Sequence, residues 1–214
     1  GYVADGLVEA LSAKLFQLKD ARVASAAAVE KASKKESLEK TARALGVNLI
    51  VHGTVQGTGE KIRIIVNLED VAGGRRLWTE EFSGVKEDLL TLEDQIYSKM
   101  VAALDLKLTS EELARGATHP TENIEAYDLY LKGRNAMRGQ QDVKNIEAAS
   151  RFYEEALKKD PGFALAYAGI ADASLLMYRE KKDSFWSQKA LAAAQQAQRL
   201  NDNLAEVHFS LGSV

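Results

Sequence analysis

Apolar residues first recur at helical spacing. Leu7, Val8, Leu11, Leu15 and Leu18 fall on one stripe, and Asp5 ahead of them is placed to cap the helix by accepting first-turn amides. Arg22 to Ser25 reads as a short strand. Leu38 to Leu45 reads as a second helix, closed by Gly46, which tolerates positive φ. The period then changes to two. Leu49, Val51, Gly53 and Val55 share one strand face, and Gly57-Thr58-Gly59-Glu60 turns the chain. Ile62, Ile64, Val66 and Leu68 alternate with Arg63, Ile65, Asn67 and Glu69. Ala72-Gly73-Gly74 turns it again into Arg76 to Phe82, a third strand carrying Trp78. Residues 47 to 83 are therefore expected to form an antiparallel meander with one face packed on helices. Leu89, Leu92, Ile96, Met100, Ala103 and Leu104 mark a long amphipathic helix after it. From Thr109 to Asn123 the composition shifts to small polar residues with Gly116 and Pro120, which reads as a linker. Beyond it the pattern is helical throughout, and the one proline is Pro161.

That helical half repeats. Ala149, Tyr153, Ala156 and Pro161 place a small residue, an aromatic, a small residue and then a proline just past the helix end. Small residues let paired helices approach, the aromatic fills the space beside them, and proline ends the helix because it has no amide donor. This spacing resembles the second helix of a tetratricopeptide repeat. Leu129 to Gly133 matches the first helix, with extra residues in the turn around Gly139 to Asp142. Tyr167, Ile170 and Ala171 open a second repeat, continued by Ala190 and Ala197, with Asp202 where proline usually sits and a lengthened turn near Lys181 to Ser184. His208, Leu211 and Gly212 open a third.

Composition narrows the chemistry. With 28 basic and 31 acidic residues the net charge is −3, which leaves no electrostatic footprint for nucleic acid. The lack of cysteine removes disulfides and thiolate metal sites, and fits a reducing cytoplasm and a disulfide-free exported domain alike. No stretch reaches the roughly 18 apolar residues of a membrane span. The chain begins and stops in mid-pattern, at Gly1-Tyr2-Val3 and Leu211-Gly212-Ser213-Val214, as expected of a piece of a longer protein.

The first half carries a second resemblance. Tyr2-Val3-Ala4-Asp5-Gly6-Leu7-Val8-Glu9-Ala10-Leu11, then Ala44-Leu45-Gly46-Val47, Gly53-Thr54-Val55, and Leu77-Trp78 ahead of Glu81-Phe82, are similar in order to the TolB-like amino-terminal domain and its FlgO-type relatives. The resemblance implies an opening strand that lies outside this chain. It also implies a multidomain bacterial context, since this domain often precedes tetratricopeptide repeats in adenylate cyclases, serine/threonine kinases and transcriptional regulators. The expected fold class is α+β: a TolB-like α/β domain over residues 1–108, a linker over 109–122, and an all-α helical-repeat solenoid over 123–214.

Candidate chemistry is sparse. His52, His119 and His208 fall in three different elements, so no metal site is expected. Asp5 and Glu9 lie one helical turn apart and read as a cap and a solvated face. Gly57-Thr58-Gly59 and Gly73-Gly74 lack the lysine and following helix of a phosphate loop, so they read as hairpin turns. Lys31, Lys34 and Lys35 are flanked by Glu30 and Glu36, as in a solvated loop. Trp78 reads as a core or edge-strand anchor.

The tetratricopeptide resemblance implies a concave groove lined by first helices. Its positions here are Tyr127, Tyr130, Arg134 and Met137, then Leu165, Ala168, Asp172 and Leu175, then Phe209. Aromatic, methionine and arginine side chains are favoured at protein interfaces. The same side chains fit packing against further repeats equally well. The expectation is a non-catalytic scaffold or sensor, not an enzyme, with no cofactor, docking a protein or peptide partner and open to self-association. The alternatives are a regulatory segment of a cyclase or kinase whose catalytic domain lies outside the chain, or a small-molecule sensor with a pocket near Trp78.

Overall fold

The computed structural model describes residues 1–33, 36–58, 60–138 and 142–213. It divides into two compact units, Val3–Thr118 and His119–Val214. The architecture is α+β, a three-stranded antiparallel sheet with helices in the first unit and helices alone in the second. Gly59, Lys34, Lys35 and Gly139 to Gln141, on which several expected turn and loop features fall, lie outside the described residues.

The first unit is organised by β2 (Lys61–Asp70), which pairs on one side with β1 (Leu49–Thr58) and on the other with β3 (Arg75–Val85). Its alternation resolves as expected: Ile62, Ile64, Val66 and Leu68 are buried. Val55, Gly53 and Val51 stand opposite Ile64, Val66 and Leu68 on that same face. Gly53 is required there, because a Cβ would stand 2.1 Å from the Ile65 carbonyl oxygen. Leu49 and Val51 remain half exposed on this edge strand. A register shift at Leu68/Glu69 sets Trp78 opposite Leu68 and Arg76 opposite Glu69, so Leu77 is the extra residue of a bulge.

The buried sheet face packs on Leu92, Ile96 and Met100 of α4 (Leu89–Ala103) and on Leu7 and Leu11 of α1 (Tyr2–Phe16). The helix α1 starts at Tyr2, so Asp5 lies in its first turn and is not the cap. Its acidic side chain still suits the positive helix end. Val8 is exposed, while Lys14, one turn past Leu11, is buried. The Lys14 ammonium lies 2.8 Å from Asp94 Oδ1 and 3.5 Å from Glu93 Oε1, with Lys14 7% and Glu93 1% exposed. Removing one partner of such a buried pair would leave a charge stranded out of water, and this holds α1 against α4.

Two expectations are corrected here. Arg22 to Ser25 is not a strand; the sheet order β1-β2-β3 offers it no ladder partner among the described residues, and a strand without a partner leaves its backbone unpaired. It leads into α2 (Ala26–Ser33), whose last turn carries Lys31, followed by α3 (Leu38–Leu45), capped by Ser37 and closed by Gly46 at φ 66°. The stretch expected as a linker contains α5 (Ser110–Gly116). Thr109 and Glu112 form its capping box, and Glu112 also accepts the Lys19 amide at 3.0 Å, tying the end of the unit to its beginning. Gly116 makes room for Tyr97 of α4, whose ring would stand 2.5 Å from an added Cβ.

The second unit runs α6 (Ile124–Arg138), α7 (Val143–Lys159), α8 (Ala164–Lys181), α9 (Ser184–Leu200) and α10 (Ala205–Ser213). Each helix packs on the next, and α8 also packs on α6 and α10. Short connections make successive helices run back along one another. Tyr153 of α7, 1% exposed, is the central side chain. Its ring lies between two helix backbones where the facing residues are Gly133 of α6 and Gly169 of α8; added Cβ atoms would stand 2.4 and 2.7 Å from it. Tyr130 closes over it at a centroid distance of 5.9 Å, and Phe163 meets Tyr130 at 5.1 Å with the rings tilted by 57°.

Helix ends repeat as well. Asp160, at φ −141° ahead of Pro161, accepts the Gly162 amide, and Asn201, at φ −156°, accepts the Asn203 amide. The second turn thus takes the same backbone path without proline, its side-chain oxygen supplying the closure. The lengthened turn expected near Lys181 to Ser184 is only Lys182 and Asp183; the extra residues extend α8 and α9 instead. Lys182 takes φ 55°, and Asp183 caps α9 by accepting the Phe185 amide.

Gly133→Ala gains about 1 kcal/mol of helix propensity but meets an overpacking cost of about 1–3 kcal/mol, because Tyr153 is confined on both sides. Urea denaturation is expected to show net destabilisation, relieved when Tyr153→Leu accompanies it. For Glu112, amide hydrogen bonds from Lys19 and Thr109 and the Thr109 hydroxyl lower the pKa from 4.5 to about 2. Its contribution is complete above pH 4.5 and lost as pH falls toward 2. The urea midpoint is expected to fall across that window, and to fall less in Glu112→Gln.

Candidate interaction surface

On the open face of the sheet, short side chains and charges pair across strands. Arg63 and Glu81 form a bidentate pair, with Nε to Oε1 at 2.7 Å and Nη2 to Oε2 at 2.5 Å. Thr79 donates to Asn67, and Arg76 donates to Glu69. His52 Nε2 lies 3.2 Å from Glu69 Oε1, and hydrogen bonds from His52 and then from Arg76 hold the Glu69 carboxyl below its usual range. The arrangement neutralises itself and spends its hydrogen-bonding groups within the sheet. Trp78 is half-buried against Phe82, and its indole donates to Glu80, which Lys99 of α4 also approaches at 3.2 Å. A recess of about 600 Å³ lies at the other end of the sheet, beside Gln56, Ile62, Arg63 and Gly84; Trp78 is not among its lining residues. No group of three metal-capable side chains gathers among the described residues.

The expected groove positions separate into two sets. Tyr127 and Tyr130 are buried, and Tyr130 packs on Tyr153 and Phe163, so these rings build the interior. Leu165 and Ala168 are also buried. Met137 is partly buried against Ile146, Ala173 and Met177, together with Trp186 of α9. The second set reaches solvent. Arg134 on α6 and Asp172 and Leu175 on α8 are half-buried, and Phe209 on α10 is 69% exposed. Asp172 accepts the hydroxyl of Ser210, itself fully buried, at 2.8 Å, which fixes α10 against α8. Sequence spacing brings all nine residues to first helices; packing leaves Arg134, Asp172, Leu175 and Phe209 as the surface.

Several positioning residues carried weaker signals. Thr121, buried, donates to Asp160 at 2.6 Å, and Asn123 donates to the Lys159 carbonyl at 3.1 Å while capping α6 through Ala126. These bonds pin the start of α6 to the α7–α8 turn. Their trace in the sequence is the Thr-Glu-Asn run ahead of an apolar periodic segment. Gly169 is marked only as a small residue on an otherwise apolar helix.

No family model matches the chain. Over 215 residues, 99% of the chain, it is 28% identical to "Putative adenylate cyclase 3" of Rhizobium meliloti (strain 1021). The chain spans 36% of that protein's length. This similarity corrects the expectation that the protein is not an enzyme: a relative aligned along nearly the whole chain bears an enzyme's name. Among the described residues no helix is long and apolar enough to cross a membrane.

The division of the groove positions can be measured. Tyr130→Ala removes a buried aromatic and is expected to cost about 3–5 kcal/mol in denaturant unfolding. Phe209→Ser, at an exposed site, is expected to change stability by no more than about 0.5 kcal/mol.

Proposed function

We propose that this chain is the regulatory, partner-docking region of a larger adenylate-cyclase-type signalling protein. The alignment carries the reading: it runs along nearly the whole of this chain yet covers about a third of a protein named as a cyclase. In this reading the first unit, with α5 as its last helix, is a TolB-like domain, and residues 123–214 are tetratricopeptide-type repeats.

The helical unit supports the second assignment. Ala149, Tyr153 and Ala156 are all at most 1% exposed, and they occupy the small-aromatic-small positions where paired helices meet. Stacked helix pairs of this kind bury their apolar faces on their neighbours and present an extended surface made from successive first helices. Here that surface carries Arg134, Asp172, Leu175 and Phe209, a mixture of an arginine, an acid and apolar side chains suited to a protein or peptide segment. Docking there biases the enzyme's output by stabilising one arrangement of the longer protein over another, which requires a partner that binds the two arrangements unequally.

The test uses the longer protein, in its natural form and as an Arg134→Glu, Leu175→Asp, Phe209→Ala variant. Cyclic AMP formed from magnesium ATP is measured with and without the proteins that the natural form retains. Partner affinity is expected to fall at least about tenfold, roughly 1.4 kcal/mol, and the response of the cyclase rate to the partner is expected to disappear. The far-ultraviolet circular dichroism of the variant at the assay temperature is expected to match the natural form, so that loss of response is not loss of fold. Equal retention and an equal response in the variant would overturn the docking assignment.

A further inference from the structure

We draw no further inference here: the strongest candidate, the outer edge of β1, a ten-residue strand without lysine, arginine, aspartate or glutamate beside which Leu49 and Val51 stay half exposed, is a sheet edge with no strand against it among the described residues, and nothing in the structure shows what covers it.

Discussion

The helical unit depends on one aromatic ring held between two glycines. Tyr153 fills the space where α6, α7 and α8 meet, and its ring takes the positions that side chains at 133 and 169 would otherwise occupy. Each glycine weakens its own helix, so the arrangement exchanges local helix propensity for close approach of three backbones. Tyr130 and Phe163 then pack outward from that ring. The residues left over on the first helices are those that the aromatic stack does not need. Thus the surface proposed for docking is defined by the interior beneath it.

The first unit is held differently. Its apolar core lies between the sheet and the helices α1 and α4, but charges and hydrogen bonds set how those helices close. Lys14 spans to α4, and Glu112 spans to the end of α1. Tyr97 joins the two groups: the Lys14 ammonium lies 5.6 Å from its ring centre, and Gly116 lies against its edge. Burial, with the Glu112 carboxylate behind it, raises the pKa of the Tyr97 hydroxyl and keeps it neutral. Polar groups so placed specify one packing of helices where apolar side chains alone would tolerate several.

Regular elements were legible because their periodicity is strong. The β2 alternation and the α4 stripe each name their buried face without reference to anything distant. Arg22 to Ser25 departs from the expected strand because strand character in four residues means little until a neighbouring strand accepts its hydrogen bonds. The α5 helix was hidden by Gly116 and Pro120, although Thr109 and Glu112 spell its capping box. Lys14 and Glu93 stand on apolar stripes, one turn from Leu11 and Leu89, which is a readable sign of burial; their pairing is not, since it joins helices far apart in the chain. The groove shows the same limit. Helical spacing assigns Tyr130 and Arg134 to one stripe, but only the packed neighbours decide that the first is interior and the second reaches solvent.

The bond between the Lys19 amide and Glu112 spans 93 positions, whereas the Tyr153 packing joins helices that follow one another directly. Contacts between distant positions wait on chain closure, and local ones do not. During synthesis the α/β unit therefore stays incomplete until α5 has left the ribosome, with α1 made but lacking its last anchor. The helical unit instead needs α6, α7 and α8, consecutive in the chain, before Tyr153 is enclosed. The earlier-made half thus waits on its far end for closure, whereas the later-made half is closed by helices that follow one another in the chain.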